Sequence, residues 1–150
     1  MLRELNYTQT EALLKDQVTG RIGCNSDGVT YIVPVNYLYD GTNIYCHSAK
    51  GMKIDMMRKN PAVCFEVDNI KDITNWESVI AWGKFEEITE IIEKQRTLQK
   101  LINRISPYII DDSVTREHGF VDKESDIGTT INLIIYKIIV HKKTGRFEDR

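Results

Sequence analysis

The spacing of apolar residues changes several times along this chain, and each change predicts an element. Alternation with period two runs through Arg21–Asn25, Val29–Tyr39, the stretch from Asn43 to His47, Ala62–Val67, Glu77–Ile88 and Thr130–His141. In the fourth of these, Val63, Phe65 and Val67 share a face. In the fifth, Val79, Ala81, Gly83 and Phe85 lie opposite Ser78, Ile80, Trp82 and Lys84. Helical spacing replaces alternation in three places. Ala12, Leu13 and Val18 mark a helix over Gln9–Gln17. Met52, Ile54, Met56 and Met57 mark one within Lys50–Lys59. Ile91, Ile92, Gln95, Leu98, Leu101, Ile102 and Ile105 mark the longest.

The residues between these runs punctuate them. Thr8 and Glu11 form a capping-box pattern ahead of the first helix, and Gly20 closes it. Asp27-Gly28 and Asp40-Gly41 are tight-turn pairs, so the first three strands make an antiparallel meander. Asn60-Pro61 stops the second helix, Asp68–Asn75 reads as a polar loop, and Gly83 in mid-strand predicts a bulge or a sharp barrel bend. Thr89 is placed as the cap of the third helix, with Glu90 in its first turn, and Ser106-Pro107 ends it. Residues 108–130 show no clear period, and irregular structure or a short helix both fit. Thr144-Gly145-Arg146 reads as a turn. Six mostly sequential strands with three helices predict a mainly β, α+β domain: a small six-stranded antiparallel barrel with helices packed outside it.

Composition narrows the function classes. The chain has 150 residues, enough for one domain with a substantial core. With 41% hydrophobic and 28% charged residues, it is expected to fold as a soluble globule. A net charge of −2 leaves no basic excess for a phosphate backbone, so nucleic acid is not an expected partner. No stretch reaches the roughly 20 apolar residues of a membrane span. The opening Met-Leu-Arg-Glu-Leu-Asn lacks an apolar signal core, which predicts a cytoplasmic protein. Cys24, Cys46 and Cys64 are odd in number and widely spaced. They predict neither a disulfide framework nor a zinc site, and they suit a reducing compartment.

The stretch with most chemical content is Asn43–Lys59. A strand ends at His47, a loop of Ser48, Ala49, Lys50 and Gly51 follows, and a helix begins. Unpaired N–H groups and the helix dipole at such a junction can seat a phosphate, with Ser48 as a donor and Lys50 and Lys53 as charges. The same residues also read as an N-cap, a solvated face and a strand end, and both readings are open. Asn36, among apolar neighbours beside Pro34, is open in the same way. Its amide either bonds to nearby backbone, or the ladder opens there for a flat polar ligand.

Five segments occur in order: Gly20-Arg21-Ile22-Gly23; Pro34-Val35-Asn36-Tyr37; Ile44-Tyr45-Cys46-His47-Ser48-Ala49 with Gly51-Met52-Lys53; Asn60 to Val67; and Trp76 to Lys84. Together they resemble the pyridoxamine 5′-phosphate oxidase-related, FMN-binding split-barrel proteins, the nitroimidazole-resistance branch above all. The resemblance runs from about Thr8 to Ile88 and includes the last strand. It implies a homodimer with FMN at the subunit interface. Pro34, Val35, Asn36 and Tyr37 would lie along the flavin ring, and His47, Ser48 and Ala49 would border the ring and ribityl chain. Gly51 and Lys53 would hold the phosphate, and Trp76, Ser78 and Val79 would come from the strand that reaches the partner. His47 would be the reactive residue. The implied activity passes electrons from a reduced nicotinamide donor to a small aromatic, nitroimidazole-like acceptor. The alternative is a non-catalytic flavin- or haem-binding protein, with His47 as an axial ligand. The oxidases' own phosphate cluster is missing here, and Arg21 is the single arginine in the matched region suited to an anionic substrate, which argues against pyridoxamine phosphate oxidation.

Overall fold

The computed structural model describes residues 1–109 and 133–149. In chain order the elements are β1 (Arg3–Glu4), α1 (Tyr7–Asp16), β2 (Thr19–Ser26), β3 (Val29–Tyr39), β4 (Asn43–Ser48), α2 (Met52–Lys59), β5 (Ala62–Asp72), β6 (Asn75–Glu87), α3 (Ile91–Ile105), a 3-10 turn (Ser106–Tyr108) and β7 (Ile134–Glu148). The strands form one antiparallel sheet in the order β1-β7-β4-β3-β2-β5-β6, and a β6–β7 pairing closes it into a barrel.

The expected architecture is present with seven strands rather than six. The added strand, β1, is a two-residue edge that pairs Arg3 with Phe147 and Glu4 with Arg146, too short to leave a periodic signal. The β2–β3–β4 meander is present. Its first turn places both Asp27 (φ 53°) and Gly28 (φ 78°) in the left-handed region, as a two-residue hairpin requires. Asp40 accepts from the N–H groups of Thr42 and Asn43 at 2.8 and 2.7 Å, which closes the second turn.

Several boundaries differ from expectation for local reasons. The first helix is capped by Asn6, not Thr8. Asn6 Oδ1 accepts from Gln9 N, and Gln9 Oε1 accepts from Asn6 N, both at 2.9 Å. The same four-residue pattern therefore occurs two positions earlier, on a stronger capping residue. Glu90, not Thr89, caps α3, its carboxylate accepting from Glu93 N at 2.7 Å and Ile92 N at 3.1 Å. Residues 68–75 are not a loop. β5 and β6 continue as a long hairpin whose turn is fixed by Asp72 accepting from Thr74. Thr144, Gly145 and Arg146 lie inside β7, paired with Ile80, Val79 and Ser78 of β6. Of the stretch 108–130, Tyr108 ends the 3-10 turn, and residues 110–130 lie outside the described residues.

The bulge expected at Gly83 falls there. Trp82 pairs with Lys142 but Gly83 pairs with Val140, leaving His141 as the extra residue on β7. A Cβ on Gly83 would stand 2.4 Å from the Ile139 carbonyl oxygen, so this crossing admits only glycine.

The barrel interior is filled by alternate residues, among them Ile22, Tyr37, Ile44, Phe65, Val79 and Tyr136, all fully buried. Tyr37 and Phe65 meet edge to face at 4.7 Å, and the Tyr37 hydroxyl donates to the Leu14 carbonyl at 2.7 Å. α2 contributes buried Ile54, Met56 and Met57 to this core, while α1 adds Leu13 and Leu14. Each such apolar side chain contributes about 1.5–3 kcal/mol on burial. A second cluster sits outside the barrel, where Leu98, Leu101 and Ile105 of α3 cover Ile135, Leu38 and Tyr45. Arg104 of α3 reaches the end of α1, and its Nη2 donates to the Lys15, Asp16 and Gln17 carbonyls at 2.8, 3.1 and 3.3 Å. These are carbonyls that the helix end leaves without partners.

One polar cluster is built into this packing. Buried Glu11 of α1 is paired with Lys143 of β7, and the Tyr39 hydroxyl contacts both, at 3.0 Å each. Burial works against the Lys143 charge, but the contacts with Glu11 and Tyr39 outweigh it and raise its pKa.

Candidate functional site

The β3–β4 ladder stops early. Its pairs are Tyr39 with Ile44, Leu38 with Tyr45 and Tyr37 with Cys46. Continued in register, it would join Asn36 to His47, Val35 to Ser48 and Pro34 to Ala49. Instead β3 stays with β2 through Thr19–Asn36, Gly20–Val35 and Arg21–Pro34, while β4 stays with β7 through His47–Ile135 and Ser48–Ile134. The two strands part, and the barrel wall splits between them. Pro34, which has no N–H to give a ladder, lies on the freed edge of β3, as a proline in a strand should.

A cleft of about 300 Å³ occupies this fork. Six of its lining residues are the three pairs that the ladder fails to form: Pro34, Val35, Asn36, His47, Ser48 and Ala49. Thr19 and Lys53 complete the lining. Two segments singled out on separate grounds, the opened strand around Asn36 and the loop before α2, therefore form one site.

Its polar groups are partly committed. The Thr19 hydroxyl donates to Asn36 Oδ1 at 2.9 Å, which leaves the two amide N–H donors of Asn36 for a ligand. The Ser48 hydroxyl donates to the Ala49 carbonyl at 2.7 Å, tightening the loop. Gly51 is the N-cap residue of α2, and no side chain caps that end. The first N–H groups of the helix thus keep their capacity for an anion.

Lys53 is the cation of the site. It is half-buried in the first turn of α2. Among the described residues no carboxylate lies within 4.0 Å of its ammonium. Burial lowers its pKa, against a weaker upward pull from the thiols of Cys46 and Cys24. Those thiols are protonated, and burial pushes Cys46 up to about 12. A charge held inside a protein without a counter-charge is unfavourable, which makes it an attractive seat for an anionic ligand.

Not every expected site residue lines the cleft. Tyr37 shares the strand, but its side chain is locked in the core, and burial lifts its hydroxyl pKa. Trp76, Ser78 and Val79 lie on β6, outside the cleft of a single chain, and Val79 is wholly buried in its own barrel. Thr19 carries no local signal of a site in the sequence. Its part depends on facing Asn36 across β2–β3, a register that only the folded pairing reveals.

Arg21, the neighbour of Pro34 on β2, is already engaged, 3.2 Å from Asp68 and 3.5 Å from Glu66. Burial and the adjoining Asp68 raise the Glu66 carboxyl to about pH 7, with Arg21 pulling it down. A carboxyl whose pKa rises on folding favours the fold most below its unfolded value near 4.5, and this advantage is lost as pH climbs through about 7. Thermal stability is therefore expected to decline between about pH 5 and pH 8. In Glu66→Gln that decline should flatten, and an unchanged melting-temperature profile would remove Glu66 as its source.

Among the described residues, no helix is long and apolar enough to cross a membrane, and no group of His, Cys, Asp or Glu is gathered for a metal.

Known proteins with this chain's features agree on its origin. A family model described as pyridoxamine 5′-phosphate oxidase matches residues 7–123. An uncharacterized protein of Rhizobium meliloti is 38% identical over 87 residues, a match that spans 58% of this chain and 58% of that relative's length. The crystal structure of an FAD-binding protein from Mesorhizobium loti superposes with a TM-score of 0.79 at 25% identity, covering 99% of each chain. A proposed 5-nitroimidazole antibiotic resistance protein from Bacteroides thetaiotaomicron has the same fold, with a TM-score of 0.75 at 22% identity over 98% of this chain and 87% of that one. A split barrel with a cleft in its β3–β4 fork, matched over most of its length by the family model, places this chain in the pyridoxamine 5′-phosphate oxidase family.

Proposed function

We propose that the fork binds FMN and that the protein is an oxidoreductase, passing electrons from a reduced nicotinamide donor to a small aromatic acceptor of the nitroimidazole kind. The observation that carries this reading is Lys53, a half-buried cation without a carboxylate partner among the described residues, in the lining of a cleft made by unpaired strand edges. A phosphate monoester satisfies it, together with the uncapped N–H groups of α2. The freed edge of β3 and the amide of Asn36 offer donors and acceptors to the rim of a flat heterocycle, and Val35 and Pro34 offer apolar contact. FMN, when bound, supplies the redox chemistry; the chain's part is to bind, orient and shield it. The solved relative described as FAD-binding supports a flavin in this fold.

His47 sits where it can hand a proton to an acceptor in the cleft, and an imidazole is suited to that at neutral pH. His47→Ala is expected to retain FMN and lose most nitroreduction. Turnover equal to the parent's would assign His47 a packing role only. In a homodimer, the half-buried outer side chains of Trp76 and Ser78 are the β6 groups we assign to the partner's site, because Val79 is spent on its own core.

The visible spectrum of the protein as isolated tests the reading, followed by the mass of the released chromophore. A flavin band with the mass of FMN supports it, and the mass of FAD would correct the cofactor. An intense Soret band would move the function to haem binding with His47 as ligand.

A further inference from the structure

Among the described residues Lys53, Lys94, Lys137 and Lys143 are half-buried, and Lys137 is held 3.8 and 3.7 Å from Glu86 and Glu93. Lys143 is paired with Glu11, bonded to the Tyr39 hydroxyl at 3.0 Å, and set 5.4 and 5.5 Å from the rings of Tyr7 and Tyr39. Every one of those neighbours favours the ammonium. Lys53 has no carboxylate within 4.0 Å among the described residues, and burial lowers its pKa against a weaker pull from the Cys46 and Cys24 thiols. It is also the lysine that lines the 300 Å³ cleft, which Lys143 does not.

We propose that in the flavin-free protein Lys53 is a nucleophilic amine that captures small aromatic aldehydes in the cleft as imines. Desolvation is a recognised way to activate a lysine, because it favours the neutral amine whose lone pair reacts. For each pKa unit below that of an exposed lysine, the neutral fraction at pH 7 grows about tenfold. The Nζ lone pair forms a bond to the aldehyde carbon as the C=O π bond opens. The carbonyl oxygen then leaves as water, carrying both amine protons, and C=N remains. No electron is gained or lost overall, so the step needs no oxidant or reductant. His47 lines the same cleft and can relay a proton to the departing oxygen. The site rests on the proposed flavin reading in one respect only: a flavin phosphate would claim the same nitrogen, protonate it and silence it. A reactive carbonyl compound and the cofactor would then compete for the newly made protein.

The experiment treats the full-length apo chain with salicylaldehyde at pH 7, fixes imines with cyanoborohydride, and maps the adducts by mass spectrometry. The expected result is preferential labelling of Lys53, faster than exposed Lys50 three residues away. Lys53→Arg, which cannot form the imine, should lose that adduct while the labelling of Lys50 stays as in the parent. Labelling of Lys53 no faster than Lys50 overturns the proposal, even where FMN binds normally. Selective labelling that excess FMN fails to suppress upholds the proposal and sinks the flavin-phosphate assignment instead.

Discussion

Replacing Lys53 with alanine will weaken FMN binding by roughly ten- to a hundredfold while leaving the barrel folded. The size follows from what is removed. A charge-assisted hydrogen bond contributes about 1.5–3 kcal/mol, and each 1.4 kcal/mol is a factor of about ten in the dissociation constant. Among the described residues, no other lysine or arginine lines the cleft to replace the lost charge. The fold should tolerate the change because Lys53 is an uncompensated interior charge whose removal relieves a desolvation penalty. Equilibrium titration of apo protein with FMN, followed by flavin fluorescence, measures the effect. Parent-like affinity in a folded Lys53→Ala protein would show that the phosphate lies elsewhere. The loss should shrink in high salt, since part of it is Coulombic.

Glu11→Ala is expected to produce the largest fall in stability, about 3 kcal/mol, because it strands a cation. Glu11 is 7% exposed, and its carboxylate holds both Lys143 and the Tyr39 hydroxyl. Deleting one member of a buried pair typically costs about 3–5 kcal/mol, since the remaining charge keeps its desolvation penalty. The lower end applies here, as the Lys143 side chain retains 21% exposure and can recruit water. Glu11→Gln should lose less, because an amide oxygen can still accept from Tyr39. Urea denaturation would measure both variants. A loss under about 1 kcal/mol for the alanine protein would mean that the three-residue cluster orders α1 without stabilising it.

Much of this molecule can be read from its sequence, and the parts that cannot share a cause. Alternation in Ala62–Val67 and Glu77–Ile88 exposes the strands because one face of each is buried, as zero exposure of Phe65, Val67, Val79 and Ala81 confirms. The turns at Asp27-Gly28 and Asp40-Gly41 are legible because Asp27, Gly28 and Gly41 take positive φ and the Asp40 carboxylate accepts from the turn's own N–H groups. The polar outer half of the β5–β6 hairpin looks like a loop, since Asn69, Ile70, Lys71 and Asp72 are all exposed and carry no alternation. Thr144–Arg146 looks like a turn because composition outweighs pairing in a local reading, whereas β6 holds it extended. At the site, Asn36 and the Ser48–Lys53 loop stand out individually through polarity and helix-start chemistry. Their union in one cleft, and the entry of Thr19, depend on where the β3–β4 ladder ends, which is a property of pairing between distant residues.

β7 touches β1, β4 and β6 and is the strand that turns an open sheet into a closed cylinder. During synthesis it emerges after every other strand described here. A nascent chain that has completed β6 therefore carries two bare sheet margins and no shut interior. The fork between β3 and β4 has only one of its outer supports at that stage, because His47 and Ser48 await Ile135 and Ile134. Folding should accordingly be slow and all at once, dominated by contacts far apart in sequence. Binding competence would arrive with the final strand instead of growing as the ribosome advances.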